Sequence, residues 1–320
     1  MKDFLKKING DKTIWAVVVL LSILSILVVY SSISTLAYKY KSGDTIPFLM
    51  KHTGIILFGL VLMYFAHKIR SGFYSRFATI AMIVSIPLLV LTLLSGSNIN
   101  EASRWLRIPV IDLTFQTSDF AKIALIMYVA RTLAVKQNEI KDFKSAFLPI
   151  IVPVVIVCVF IMPANFSTSA MLFTTCLILM FIGRINVKYI LSVIGVGIVA
   201  VCLLGLVIWN FPGAIHRGAT WKARIENFRD GKSEVNYQVE QSKIAIATGG
   251  IMGKGPGKST QRNFLPHPYS DFIYAIIIEE YGLWMGIFVI FLYLVLLYRA
   301  VRIATKCQKI FPSLLAIGCS

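Results

Sequence analysis

Long apolar runs recur along this chain, each ended by a short polar or basic stretch. They fall near residues 14–37, 48–66, 77–95, 119–135, 147–162, 168–183, 187–208 and 271–298, and a ninth begins near Phe311 and is cut at Ser320. At 1.5 Å per residue, an apolar helix of about 17–25 residues crosses the hydrocarbon core of a bilayer. The fifth and sixth runs are short. Pro163 and the polar Asn165, Ser167, Thr168 and Ser169 between them predict a tight turn at the membrane surface. The pattern predicts an all-α polytopic integral membrane protein, one transmembrane domain over 1–320 with about nine spans. No internal repeat or broken helix stands out. The segment 209–270 is a long loop between the seventh and eighth spans.

Composition supports this reading. The chain is 57% hydrophobic and 15% charged, with a mean hydropathy of +0.75. A soluble core cannot absorb that excess, but lipid can. The net charge of +17 suggests nucleic acid at first sight. The basic residues flank apolar runs instead of forming a patch, which fits topology signals and anionic lipid head groups. Lys2, Lys6, Lys7 and Lys12, then Lys68, Arg70, Arg76, Lys136, Lys141, Lys144, Arg184, Lys188, Arg299, Arg302, Lys306 and Lys309 lie on the N-terminal side. The short loops opposite hold Lys39, Lys41, Arg104 and Arg107. The N-terminus is therefore expected in the cytoplasm and the segment 209–270 outside. No cleavable signal peptide is expected, because the first apolar run is too long and lacks an A-x-A exit. Cys158, Cys176, Cys202, Cys307 and Cys319 show no metal or redox spacing and read as small apolar fillers.

The loop 209–270 is not low in complexity. WKARIENF and YQVEQSKIAIA read as interfacial or re-entrant helices. GGIMGKGPGKST follows. A Walker loop would need glycine where Met252 stands, so the nucleotide reading fails. The glycines read either as a flexible turn or as a loop whose N–H groups, with Lys254 and Lys258, face an anionic ligand.

Asp271 sits where this loop meets the eighth run, in HPYSDFIYAIIIEEYG. It reads as a helix N-cap, a role that does not exclude general-base chemistry. Glu279 and Glu280 lie further along the same run. Acids inside a span must face protein, water or a cation, and a structural ion pair is the plain reading. In the loop before the fourth run, Ser118 or Asp119 reads as a cap. Lys122 reads either as a local partner of those residues or, with Arg104, as a phosphate contact.

Two blocks carry a family resemblance. GGIMGKGPGKSTQRNFLPHPYSDFIYAIIIEEYG and SRWLRI…FQTSDFAKIAL together resemble the SEDS family, the FtsW and RodA type of membrane glycosyltransferase that polymerises lipid II. NFSTSA, KIAIATGGI and the HPYSDF block lean towards the FtsW division type. The resemblance spans nearly the whole chain, with departures. Thr117 stands for the family's proline, Asp119 for its glutamate and Ser270 for its threonine. Asn165 stands where the family often has an aspartate, so that turn supplies no second carboxylate. The chain as given stops ahead of the expected tenth span and a late outer loop.

The resemblance implies an inverting transfer in the bacterial cytoplasmic membrane. Asp271 would take the proton from the acceptor's GlcNAc hydroxyl as it attacks C1 of the donor MurNAc and pyrophosphate leaves. Arg104, Lys122, Lys254, Lys258, Ser259 and Gln261 would bind substrate or pyrophosphate. Ser270, Pro266, Glu279, Glu280, Gln116 and Ser118 would support them. A divalent cation, Mg or Mn, could share the neutralising role, and no nucleotide is implied. Expected partners are lipid II, lipid-linked glycan, a penicillin-binding transpeptidase and other division proteins, with no nucleic acid. Two alternatives stay open: a flippase or transporter of lipid-linked precursor, and a non-catalytic division scaffold.

Overall fold

The computed structural model describes residues 10–33, 45–95, 97–99, 102–108, 113–210, 222, 226, 234–265 and 268–320. Its helices are α1 (Lys12–Ser32), α2 (Ile46–Lys68), α3 (Ser71–Ser95), α4 (Thr117–Val135), α5 (Leu148–Ile161), α6 (Phe166–Ile182), α7 (Val187–Asn210), α8 (Glu234–Gly249), α9 (Ile273–Lys306) and α10 (Ile310–Cys319). Six helical stretches among the described residues are long and apolar enough to cross a membrane. The 19-residue α4 and the shorter apolar α6 and α10 fall at the other three predicted spans. α8 is the YQVEQSKIAIA helix. Most of WKARIENF lies outside the described residues, as do Pro266 and His267.

The chain divides into two units, 1–68 with 224–299, and 69–223 with 300–320. In the second, α4 is the central helix. Ala121, Leu125, Val129 and Leu133 recur every four residues, so they form one stripe down the helix, and all are fully buried. Against this stripe pack Ile150, Val154 and Val157 of α5, Leu179 and Met180 of α6, and Phe311 and Leu314 of α10. Gly318 lets α10 approach closely, since a Cβ there would stand 2.5 Å from Ile126 Cγ2. α7 buries only Ile190 and Ile208, so its outward apolar surface suits lipid. A π-helical turn, Phe143–Phe147, opens the fifth span. In the tight turn after α5, the Asn165 side chain accepts from the Thr168 N–H at 3.3 Å and caps α6.

Between α3 and α4 the chain forms a three-stranded antiparallel sheet that the helical reading did not include. β1 (Ser97–Ile99), β2 (Ala102–Ile108) and β3 (Leu113–Gln116) lie in the order β1-β2-β3. Trp105 pairs with Gln116 and Ile108 with Leu113. The stretch is too short to span a bilayer, and closing it into hairpins satisfies its backbone groups locally.

In the first unit, α1 and α9 run antiparallel and are tied at both ends. Asp11 caps α1 by accepting from Thr13 N at 2.9 Å and Ile14 N at 3.3 Å. Its other oxygen takes both Arg299 Nε, at 2.8 Å, and Arg299 Nη2. At the far end Ser31 donates to Glu280 at 2.5 Å. Nineteen residues separate Glu280 from Arg299, which at helical rise is about the thickness of a hydrocarbon core. On the neighbouring α2, His52 Nε2 lies 3.1 Å from Ser25 Oγ of α1.

Candidate active site

The glycine-rich segment is built around a break in α9. Gly282 has φ 82° and ψ 174°, so the helix is interrupted there, although the sequence shows no obvious break. In an unbroken helix the carbonyls of Glu279 and Glu280 would accept from Leu283 and Trp284. Instead they accept from Lys254 N at 2.9 Å and Gly255 N at 2.8 Å, while Leu283 N donates to the Gly250 carbonyl at 3.0 Å. A strap from Gly249 to Gly255 thus replaces the lost helical bonds. Only glycine permits this approach. A Cβ on Gly253 would stand 2.4 Å from the Glu280 carbonyl oxygen, and one on Gly282 would stand 2.2 Å from that of Ile251. Both residues also have φ near +80°, a region L side chains avoid.

The strap encloses two buried acids. Glu279 is 0% and Glu280 1% exposed. Glu279 Oε1 accepts from Lys254 Nζ at 2.6 Å, Thr260 N at 3.1 Å and Thr260 Oγ1 at 2.9 Å. Its Oε2 accepts from Ser259 Oγ at 2.5 Å and Gln261 N at 3.3 Å. Glu280 Oε1 accepts from Ser31 Oγ and from Ser259 N at 3.4 Å. Arg262 N donates to Ser259 Oγ at 3.2 Å, and Arg262 Nη1 donates to the Ser31 carbonyl at 2.9 Å. A buried carboxylate is tolerable only with such a shell.

This arrangement corrects one sequence expectation. The amides of Gly253, Lys254, Gly255, Lys258, Ser259, Thr260 and Gln261 all donate within the protein, so they form no open cradle for an anion. Lys254 is bound to Glu279, which is the structural ion pair that its acidic partner suggested. Lys258 is exposed, with no ion-pair partner among the described residues.

Asp271 stands apart from this shell. The first helical bond of α9 runs from Ile276 N to the Phe272 carbonyl, so Asp271 precedes the helix in a turn. It is exposed, as is Ser270, and its side chain makes no hydrogen bond or ion pair among the described residues. The expected capping bond is therefore not made. Its position in a turn ahead of the first helical hydrogen bond leaves the carboxylate open to a ligand.

In the other unit, α4 begins at Thr117, with Gln116 at the cap position but no capping side chain. Ser118 and Asp119, expected at the cap, lie instead in the first turn, two and three positions past Gln116. Gln116 Nε2 donates to Ser118 Oγ at 2.9 Å, and Lys122 pairs with Asp119 at 2.7 Å. Thr117 is buried and takes a hydrogen bond from Thr92 at 2.9 Å. Arg104 lies on β2.

Sequence reasoning did not single out Ser31, Thr260 or Arg262. Ser31 and Ser32, in VVYSSIS, close an apolar run, and a polar pair there was the available signal. Thr260 and Arg262 sit inside the glycine block and had no signal apart from it. Among the described residues no three His, Cys, Asp or Glu side chains gather as a metal site, and both oxygens of Glu279 are engaged. The described donors do not fit a protein-built divalent site.

A multi-span helical membrane protein with a strapped, broken helix and a bare carboxylate in the turn that precedes that helix is the class these features define. The chain belongs to the FtsW/RodA/SpoVE family, whose model, described as "Cell cycle protein", matches residues 11–320. It is 32% identical over 312 residues to a probable peptidoglycan glycosyltransferase FtsW of Trichlorobacter lovleyi, covering 96% of this chain and 79% of that one. It is 30% identical over 324 residues to the peptidoglycan glycosyltransferase MrdB of Escherichia coli K12, covering 99% and 82%. Its fold matches Thermus thermophilus rod shape determining protein RodA with a TM-score of 0.60 at 18% identity, over 94% of this chain and 79% of that one. It also matches, with a TM-score of 0.71 at 17% identity over 97% and 83%, a chain from "Structural coordination of polymerization and crosslinking by a peptidoglycan synthase complex".

Proposed function

We propose that this chain is a peptidoglycan glycosyltransferase that polymerises lipid II, with Asp271 as the general base. The observation that carries the assignment is a contrast among three acids in one segment. Glu279 and Glu280 are buried and bonded, whereas Asp271 is exposed and bare. Only a carboxylate that is ionised and open to a ligand can take a proton from an incoming hydroxyl. Family membership and the named activities of the relatives support the substrate class.

The distribution of Lys and Arg supports a cytoplasmic N-terminus, which puts Asp271 on the outer face of the cytoplasmic membrane. The acceptor's 4-hydroxyl gives its proton to Asp271 Oδ as its oxygen bonds C1 of the donor sugar, and the C1–O bond to pyrophosphate breaks. Lys258, exposed in the same unit as Asp271, would offset the leaving charge on this reading. No step is assigned to a metal. The synthase-complex neighbour supports a transpeptidase partner.

The break at Gly282 favours a second reading, since transporters place substrates at broken helices. Here, however, the strap fills the backbone valences at the break, leaving little for cargo to bind. Glycan synthesis from purified lipid II, wild type against Asp271→Asn with the partner transpeptidase present, tests both. Polymer from wild type and none from an equally folded variant supports the polymerase. Full activity in the variant removes Asp271 from the role. Precursor translocation in liposomes without polymer favours transport.

A further inference from the structure

We propose that Ser31, in the last turn of α1, is a positioning residue for this reaction, acting through Glu280 and Arg262 on the segment that carries Asp271. The proposal rests on the polymerase reading. Ser31 is 9% exposed and is bonded on two sides: its hydroxyl donates to Glu280 at 2.5 Å, and its carbonyl accepts from Arg262 Nη1 at 2.9 Å. Arg262 in turn donates to Ser259 Oγ, and Ser259 donates to Glu279. The bonds close a ring through Ser31, Glu280, Ser259 and Arg262, with Glu279 joined at Ser259. Three separate pieces of chain meet there: the end of α1, the turn Gln261–Asn263 and the first half of α9.

The ring holds Arg262, nine residues before Asp271, and Glu280, nine residues after it. No described hydrogen bond or ion pair holds Asp271 itself. Its position therefore depends on the anchors of its segment, of which the ring supplies two. Ser31 joins both anchors to α1, and α1 is locked to the other end of α9 by Asp11 and Arg299. A positioned base loses rate steeply with displacement, about a hundredfold for about 1 Å.

Ser31→Ala removes the hydroxyl and leaves Glu280 with one donor fewer. The expected result in lipid II polymerisation is a fall in kcat of about tenfold to a hundredfold, with KM within about twofold of wild type. Ser31→Thr, which keeps the hydroxyl, restores most of the rate. Ser32→Ala is the control: Ser32 is fully buried, but among the described residues its hydroxyl bonds only the Val28 carbonyl of its own helix, so kcat stays unchanged. Arg262→Met breaks the same ring from its half-exposed side and decides the matter should Ser31→Ala not fold; it too lowers kcat and spares KM. Wild-type kcat per folded molecule in Ser31→Ala, or in Arg262→Met where that variant decides, overturns the proposal, whatever happens to yield. So does a loss that Ser31→Thr does not repair. Asp271→Asn is run alongside: if it retains activity, the base assignment fails independently of Ser31.

Discussion

Asp271 and the Glu279–Glu280 pair lie within ten residues of one another, and they use the same functional group in opposite ways. The pair sits at 0% and 1% exposure, enclosed by hydroxyls, amides and one lysine. Asp271 is exposed and has no described partner. Glu279 is a structural part, because both its oxygens are occupied and moving it would cost its whole shell. Glu280 is held through Oε1, while its buried Oε2 has no hydrogen-bond partner among the described residues. A bare carboxylate adds little to stability and is available for chemistry. Substitutions at the two places should therefore fail differently, and that difference can be measured.

The largest effect is expected at the bare acid. Asp271→Asn keeps the shape and should lower polymerisation by about 10²–10⁴-fold, the usual contribution of a general base. Its thermal unfolding in detergent should match wild type. A variant that unfolds early would show that Asp271 is structural after all. The strap comes next. Gly282→Ala puts a Cβ against the Ile251 carbonyl and forces an L residue to φ 82°. About 3–4 kcal/mol of stability should go, from strain and overlap together. A well-folded Gly282→Ala protein would mean that the break is not required. Lys254→Met leaves Glu279 with neutral donors only. Losing one partner of a buried pair costs about 3–5 kcal/mol, and because Lys254 is 29% exposed the lower end, about 3 kcal/mol, applies. Its kcat per folded molecule should move far less than that of Asp271→Asn.

Much of this was legible from the sequence. Each of the nine apolar runs became a helix, because run length and bilayer thickness constrain each other strongly. The local pair Lys122–Asp119 and the need for a cation beside Glu279 were legible, but Lys254 as that cation was not, because it lies 25 residues earlier in the chain. The sheet between α3 and α4 was not legible because its strands are short and lie between two long apolar runs, so their period-two pattern is weak. The break in α9 was missed because EEYG sits within an unbroken apolar run. Only a partner strap, 27–32 residues earlier in the chain at Gly250 to Gly255, makes an interruption there affordable. The ring at Ser31 joins residues more than 200 positions apart, and no local pattern encodes such a contact.

The smallest effect concerns the end of α1 and α9 opposite the strap, and it tests whether a saturated acid outside the spans behaves like Glu279. Burial disfavours the charge on Asp11, but hydrogen bonds from Arg299 and from the Ile14 and Thr13 amides outweigh it, so its pKa lies below the ordinary 3.8. A carboxylate depressed in the folded state adds stability that is fully present above its unfolded pKa and is lost as pH falls through the folded one. Asp11→Asn isolates the ionic part, because asparagine still caps a helix well. The variant should be less stable than wild type by about 1.5 kcal/mol, the scale of a hydrogen bond to a charged group. That gap should stay constant from pH 8 to about pH 5 and close only as pH drops below the ordinary carboxylate value, where wild type loses the same contact. Unfolding midpoints of the two proteins across this range supply the check. A gap that persists undiminished at the acid end would mean that Asp11 works as a neutral cap, and that the pairing with Arg299 contributes nothing to holding α1 against α9.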